Sequence, residues 1–258
     1  QPRSRGLGDV YKRQVLSNTT LRLVSGPDTP ITVAQKFEIW RTLSKDEYAS
    51  AIAAQSSSWG SRRVQSIWPR VAKVGSIEYS GIYIAAACAG ARAGALPQQS
   101  LTNSAITGFT EIEYGSKYFS EQQLNTIAEG GTFIVDQDLN GNIYIRHALT
   151  TDMSDTAHQE EVITANVDSI SYYLYEIFSP YIGVTNITDE LIENIRTELT
   201  GAIEVLKSNG VGTTVGSQLN DATILEIKQH PTIPDRLLVK VDLDIPYPLN
   251  NLEIHLVI

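Results

Sequence analysis

The run TFIVDQDLNGNIYIRH, residues 132–147, decides how this chain is to be read. Thr132 to Gln137 and Asn142 to His147 are two strand-like runs on either side of Asn140-Gly141, a dipeptide suited to the positive φ angles of a tight hairpin. Upstream, Ser120 caps a helix predicted over 121–129, which stops at Gly130-Gly131. Downstream come two long helical periods. In the first, Ile163, Val167, Ile170, Leu174, Ile177 and Phe178 fall mostly three and four apart, and the helix ends before Pro180. In the second, Thr188 is the N-cap and Asp189 and Glu190 favour the helix dipole. Leu191, Ile195, Leu199, Ile203 and Leu206 form its apolar stripe, and Asn209-Gly210 ends it. Three strands are predicted beyond it, over 223–229, 237–244 and 252–258. The organisation thus changes after the hairpin, with a soft boundary in the polar stretch Thr150 to His158. Before it, strands and helices alternate, an α/β pattern; after it, two helices precede a small sheet, an α+β pattern. The domains read as 15–150 and 151–258.

Working back toward the start, Tyr79 to Gly94 reads as a helix dense in alanine and glycine, which suggests a buried helix packed closely on a sheet. Arg62 to Trp68 reads as a short strand ending at Pro69, and Leu96 to Gly108 as an irregular loop. A helix is predicted over 45–55. Another runs from Thr32 to Trp40, with Val33, Phe37 and Trp40 on one face. Val15 to Ser25 reads as a strand, followed by a turn at Gly26-Pro27-Asp28.

Residues 1–14 do not look like the start of a domain. They are basic, glycine-rich and lack an apolar period. Asp9-Val10-Tyr11-Lys12-Arg13-Gln14 back-translates to GATGTGTATAAGAGACAG, which looks like the end sequence of a transposase-based sequencing adapter. The segment is therefore read as non-native and set aside from the fold. This reading implies a gene truncated at its 5′ end. The full chain of 258 residues carries a net charge of −9. Residues 1–14 hold four basic side chains and one acidic, so 15–258 retain 16 basic and 28 acidic residues, a net −12. Such a chain repels phosphates, so nucleic acid is not an expected partner. The one cysteine, Cys88, rules out an internal disulfide framework and fits a reducing compartment. The longest apolar candidate, Ile82 to Ala95, is too short to span a membrane and contains Arg92, so no membrane insertion is expected.

Chemistry-bearing patterns are sparse. Asp136-x-Asp138-x-Asn140-Gly141 resembles the opening of a calcium loop, but the twelfth position is His147 where a bidentate Glu is needed; a hairpin turn explains the same residues. His147, His158, His230 and His255 show no metal-ligand spacing. His230, before Pro231, reads as a turn residue. GxSxG, GxGxxG and GxxxxGK[ST] are all absent, and the glycine-rich 210–216 follows a helix where a phosphate loop would precede one. Cys88 reads as a buried, inert small hydrophobe. Arg62-Arg63 either pairs with an acidic neighbour across an interface or forms solvated strand ends. No catalytic, cofactor or metal residue is assigned.

The chain end is more informative. Pro246, Tyr247 and Pro248 favour a stiff, extended linker. It launches Leu252, Glu253, Ile254, His255, Leu256, Val257 and Ile258, a strand-like run with one charged side chain and no proline. Such a strand is an aggregation hazard unless something pairs with it. It belongs either in its own sheet or, donated as an arm, in the sheet of a neighbouring subunit.

Several segments together resemble the tail sheath proteins of contractile bacteriophages. They are Val33 to Trp40, Arg62-Arg63-Val64 to Trp68-Pro69, Tyr83 to Pro97 with Leu101-Thr102-Asn103, Ile145 to Asp152, Tyr181-Ile182-Gly183 and Pro248 to Ile254. One departure is Gln98, where relatives often carry His. The resemblance covers nearly all of 15–258. It implies part of a subtilisin-like but non-catalytic α/β domain, then an α+β C-terminal domain with two long helices and a small sheet. It further implies a virion structural protein, assembled in the host cytoplasm and not an enzyme. Copies would stack as hexameric rings around the tail tube protein, meeting baseplate and tail terminator proteins at the ends. No cofactor is implied. A tailocin or bacterial injection-system sheath is the nearest alternative, and a subtilisin-fold hydrolase a more distant one.

Overall fold

The computed structural model describes residues 43–250. The proposed adapter segment, the strand from Val15, the helix from Thr32 and the terminal strand Leu252 to Ile258 lie outside the described residues. The chain forms two compact units. The first comprises 43–96, Ser100–Thr164 and Asn250 among the described residues, and the second comprises Pro97–Gln99 and Ala165–Leu249. The division falls between Thr164 and Ala165, a few residues beyond the polar stretch 150–158.

The first unit mixes helices with two small sheets. Its elements are α1 (Lys45–Ser57), β1 (Ser66–Trp68), β2 (Val71–Val74), β3 (Ile77–Ser80), α2 (Ile82–Gly94), β4 (Glu111–Ile112), α3 (Glu121–Glu129), β5 (Thr132–Gln137), β6 (Ile143–His147) and α4 (Thr156–Gln159). One sheet has the order β1-β5-β6, the other β3-β2-β4. Among the described residues only β1–β5 is parallel; β5–β6 is the antiparallel hairpin that Asn140-Gly141 predicts. Both α1 and α3 begin with a capping box. Ser44 receives the Glu47 N–H while Glu47 reaches back to the Ser44 N–H, and Ser120 and Gln123 repeat the arrangement. Every residue of β5 is buried. Its polar end is satisfied: the Gln137 side chain accepts from the Ile112 N–H at 3.3 Å and donates to the Thr110 and Gly141 carbonyls at 3.1 Å each. Gln137 thereby stitches the two sheets together.

Two readings are corrected. The helix predicted from Tyr79 starts at Ile82, because 77–80 pair with β2 as β3. Gly81 sits at that junction, where a Cβ would lie 2.8 Å from the Pro69 carbonyl oxygen. The small-residue helix is also only half buried: Ile84, Ala85, Cys88 and Arg92 face the core, while Gly90 and Gly94 meet nothing within 4 Å. The strand predicted from Arg62 begins at Ser66. Arg62 and Arg63 lie in a turn closed by the Val64 N–H on the Ser61 carbonyl, 3.1 Å.

Helices α1 and α3 approach closely at Gly130, where an added Cβ would fall 2.4 Å from the Ala53 Cα. The obstacle is backbone and cannot rotate away. Gly130→Ala is expected to cost about 2–3 kcal/mol by forcing α1 and α3 apart. A urea-denaturation midpoint unchanged from the parent would contradict this packing.

The second unit holds α5 (Glu161–Phe178, its first turn in the first unit), a 3₁₀ turn Ser179–Tyr181, α6 (Asp189–Ser208), β7 (Asp221–Gln229) and β8 (Leu237–Asp244). Its core joins Ile170 of α5, the α6 stripe and Ile227 of β7.

Candidate assembly interface

The β7–β8 hairpin follows from local chemistry. Thr188 Oγ1 accepts the Leu191 N–H at 3.2 Å and starts α6. Leu191, Ile195, Leu199, Ala202, Ile203 and Leu206 are buried along its length. The chain then turns through 209–220, where two buried amides hold it to α5. Asn166 Nδ2 donates to the Gln218 carbonyl at 2.6 Å, and Gln218 Nε2 reaches Asn166 Oδ1 at 3.3 Å. Asn209 Nδ2 adds a bond to Gln218 Oε1 at 2.6 Å. Polar residues carry no periodic signal, so Asn166 and Gln218 were not legible in sequence as the pair that sets where β7 begins. Lys207, in the last turn of α6, also grips the first residue of β7. Its ammonium lies 3.2 Å from Asp221 Oδ1 and holds that carboxyl below the usual range.

The hairpin ladder spans eight residue pairs, from Asp221↔Asp244 to Gln229↔Leu237. A bulge falls between Ile224 and Glu226. The bulge inserts Leu225 and shifts the alternation, so Ala222, Ile224 and Ile227 all keep to the core side while Leu225 is exposed. His230 occupies the hairpin loop, its Nδ1 accepting the Thr232 and Ile233 N–H groups at 3.3 and 3.2 Å, a turn role as the sequence predicts. Among the described residues β7 and β8 pair only with each other. Within the described residues each has an outer edge of backbone donors and acceptors, the kind of edge that accepts an added strand. Beyond β8, residues 245–250 belong to no helix or strand. Within this stretch lie the predicted linker residues Pro246, Tyr247 and Pro248. Leu252 to Ile258 lie outside the described residues.

The remaining candidates resolve into structural roles. Asp138 accepts the Asn140 and Asn142 N–H groups and the Asn142 side chain, each at 2.8 Å, so both its oxygens serve the turn. Those bonds hold its carboxyl below the usual range. Burial pushes the Cys88 thiol up to about 12, which removes its nucleophilic form at neutral pH. Ser154, His158 and Asp155 gather at one place, but the contacts converge on a single ring nitrogen. Ser154 Oγ is 3.1 Å and Asp155 Oδ2 3.0 Å from His158 Nδ1. A catalytic triad needs nucleophile and acid on opposite nitrogens. Asp155 is instead the N-cap of α4. Among the described residues, no group of His, Cys, Asp and Glu could hold a metal, and no helix is long and apolar enough to cross a membrane.

No protein-family model and no curated protein matches the sequence. Solved structures do match. The anti-feeding prophage baseplate aligns over 82% of this chain and 65% of that chain, at 11% identity and TM-score 0.60. The anti-feeding prophage helical sheath in its contracted state aligns over 81% and 66%, at 11% identity and TM-score 0.59. The contracted PVC sheath complex of an extracellular contractile injection system aligns over 90% and 62%, at 14% identity and TM-score 0.59. This chain thus spans less than two thirds of the length of each. Measured by backbone geometry at this level of sequence difference, the chain has the fold of contractile sheath proteins.

Proposed function

We propose that this chain is a structural subunit of a contractile tail sheath. Copies polymerise around a tail tube in stacked hexameric rings, and contraction drives the tube through a host cell envelope. The observation that carries this reading is the β7–β8 hairpin, whose strands pair only with each other among the described residues, in a chain where residues 252–258 read as a further strand. The arm Leu252 to Ile258 adds to an edge of a neighbouring copy, with Pro246, Tyr247 and Pro248 as its linker. An acidic chain resists packing against its own kind through side chains. A backbone ladder, and an arm whose only charge is Glu253, avoid that repulsion. Donation from copy to copy is a head-to-tail contact, and where the rotation does not close such contacts build helical arrays. Contraction is then a passage between two discrete interface packings, needing no cofactor.

In this reading residues 15–150 form part of a subtilisin-like, non-catalytic domain and 151–258 the α+β C-terminal domain. The tail tube, baseplate and tail terminator proteins are the partners, and the virion tail is the location, reached by assembly in the host cytoplasm. The fold likeness to the anti-feeding prophage and PVC structures favours a second reading, a sheath of an injection system or tailocin. Genes for capsid and terminase beside this one mark a phage; their absence marks the second reading. A serine-reactive probe should leave the protein unlabelled; specific labelling would favour the hydrolase alternative. The decisive experiment is a high-resolution map of the assembled particle. Residues 252–258 should lie along β7 or β8 of a second copy; finding them folded onto their own body would overturn the reading.

A further inference from the structure

The linker after β8 ends in a contact of its own. Ile245 still packs into the core of the second unit, while Tyr247 and Leu249 are 60% and 81% exposed. The next residue, Asn250, belongs to the first unit. Its Nδ2 donates to Glu160 Oε1 at 2.9 Å and lies 3.3 Å from His147 Nε2, which is itself 3.1 Å from the same carboxylate oxygen. Glu160 is well fixed to receive it. It is 7% exposed, and its backbone bridges to Leu149. The amide orientation is set by charge, because turning it over would place Asn250 Oδ1 against a carboxylate.

We infer that Asn250 is a positioning residue, anchoring the root of the terminal arm to the His147–Glu160 pair of the first unit. The inference rests on the proposed role of residues 252–258 as a donated strand. The arm then departs from one unit, while the edges that accept arms belong to the other. Each strand exchange joins the first unit of one copy to the second unit of the next, so movement of a first unit is passed on through the arm it carries.

Limited chymotrypsin digestion of the unassembled intact protein tests the anchor, since Leu249 is an exposed cleavage site just before it, whereas the Tyr247–Pro248 bond resists the enzyme. Asn250→Ala should raise cleavage after Leu249 by roughly tenfold, the size expected for losing a bond to a charged acceptor. Asn250→Asp should raise it further, because it sets a second carboxylate against Glu160. Thermal melting should match the parent in both. Unchanged cleavage in both variants would overturn the anchor. So would new cleavage throughout the first unit with a lowered melting temperature, because Asn250 would then support the fold at large. Particles that assemble without strand donation would sink the proposed function while leaving the digestion result intact, so the two failures are distinguishable.

Discussion

Removing Leu252 to Ile258 from the intact protein is expected to leave a folded, dispersed subunit that forms no tubes. Seven extended residues reach roughly 23 Å, enough to lie along most of β7 or β8. Each ladder hydrogen bond contributes about 0.5–1.5 kcal/mol net. Leu252, Ile254, Leu256 and Ile258 share one face of such a strand, and each buried apolar side chain adds about 1.5–3 kcal/mol. In the proposed lattice, where each copy both gives and receives an arm, these gains recur at every junction, so their loss is expected to be decisive for polymerisation. The fold itself should be spared, because the core of α6 and the hairpin lies within 165–249 and the buried core cluster of the first unit within 48–148. Sedimentation velocity should show one small species, electron micrographs no tubes, and thermal melting the parent temperature. Tubes of ordinary diameter formed by the trimmed protein would refute the arm.

Arg92→Ala should be the most damaging single substitution in the first unit, at about 3–5 kcal/mol, the usual cost of stripping one partner from a buried ion pair. Arg92 and Glu161 are 5% and 3% exposed. The guanidinium Nε lies 2.9 and 3.0 Å from the two Glu161 oxygens, and Nη1 also donates to the Leu96 carbonyl at 3.2 Å. Burial pushes the Glu161 carboxyl up, against the opposing pull of Arg92. Without Arg92 the upward shift grows. A folded-state pKa above the unfolded one gives stability that is fully present below the unfolded value and lost as pH rises through the folded value. The deficit of Arg92→Ala should therefore be largest at neutral pH and shrink toward pH 4. Urea midpoints across that range measure it. A deficit that is constant with pH would mean that Arg92 acts through packing alone. Replacing both partners by apolar residues of similar volume, Arg92→Met with Glu161→Leu, should recover much of the loss.

Some elements were legible because their causes lie within a few residues of each other. Ser120 and Gln123 cap α3 across three positions, Thr188 caps α6 through the N–H of Leu191, and Asn140-Gly141 closes a hairpin between its own neighbours. The α6 stripe is a repeat of three and four, so Leu191 to Leu206 could be assigned to the core unaided. Of the candidate interface, the proposed arm and its proline linker rest on composition and pattern alone. That β7 and β8 pair only with each other among the described residues was not legible, since a third strand would come from elsewhere in the chain.

Tertiary structure decided everything whose cause is distant. Residues 77–80 extend a helical pattern in sequence, yet they pair with β2, and Gly81 starts the helix where Pro69 and Arg70 leave no room for a side chain. Arg92 looked like a lone charge in a run of alanines until Glu161, 69 residues on, met it. His147, Glu160 and Asn250 had no common spacing, and neither did Asn166 and Gln218. The physical reason is the same in each case. Caps and apolar periods act between residues three or four apart, whereas a buried charge or amide is acceptable only with a partner, and nothing in its local sequence says which part of the folded chain will provide one.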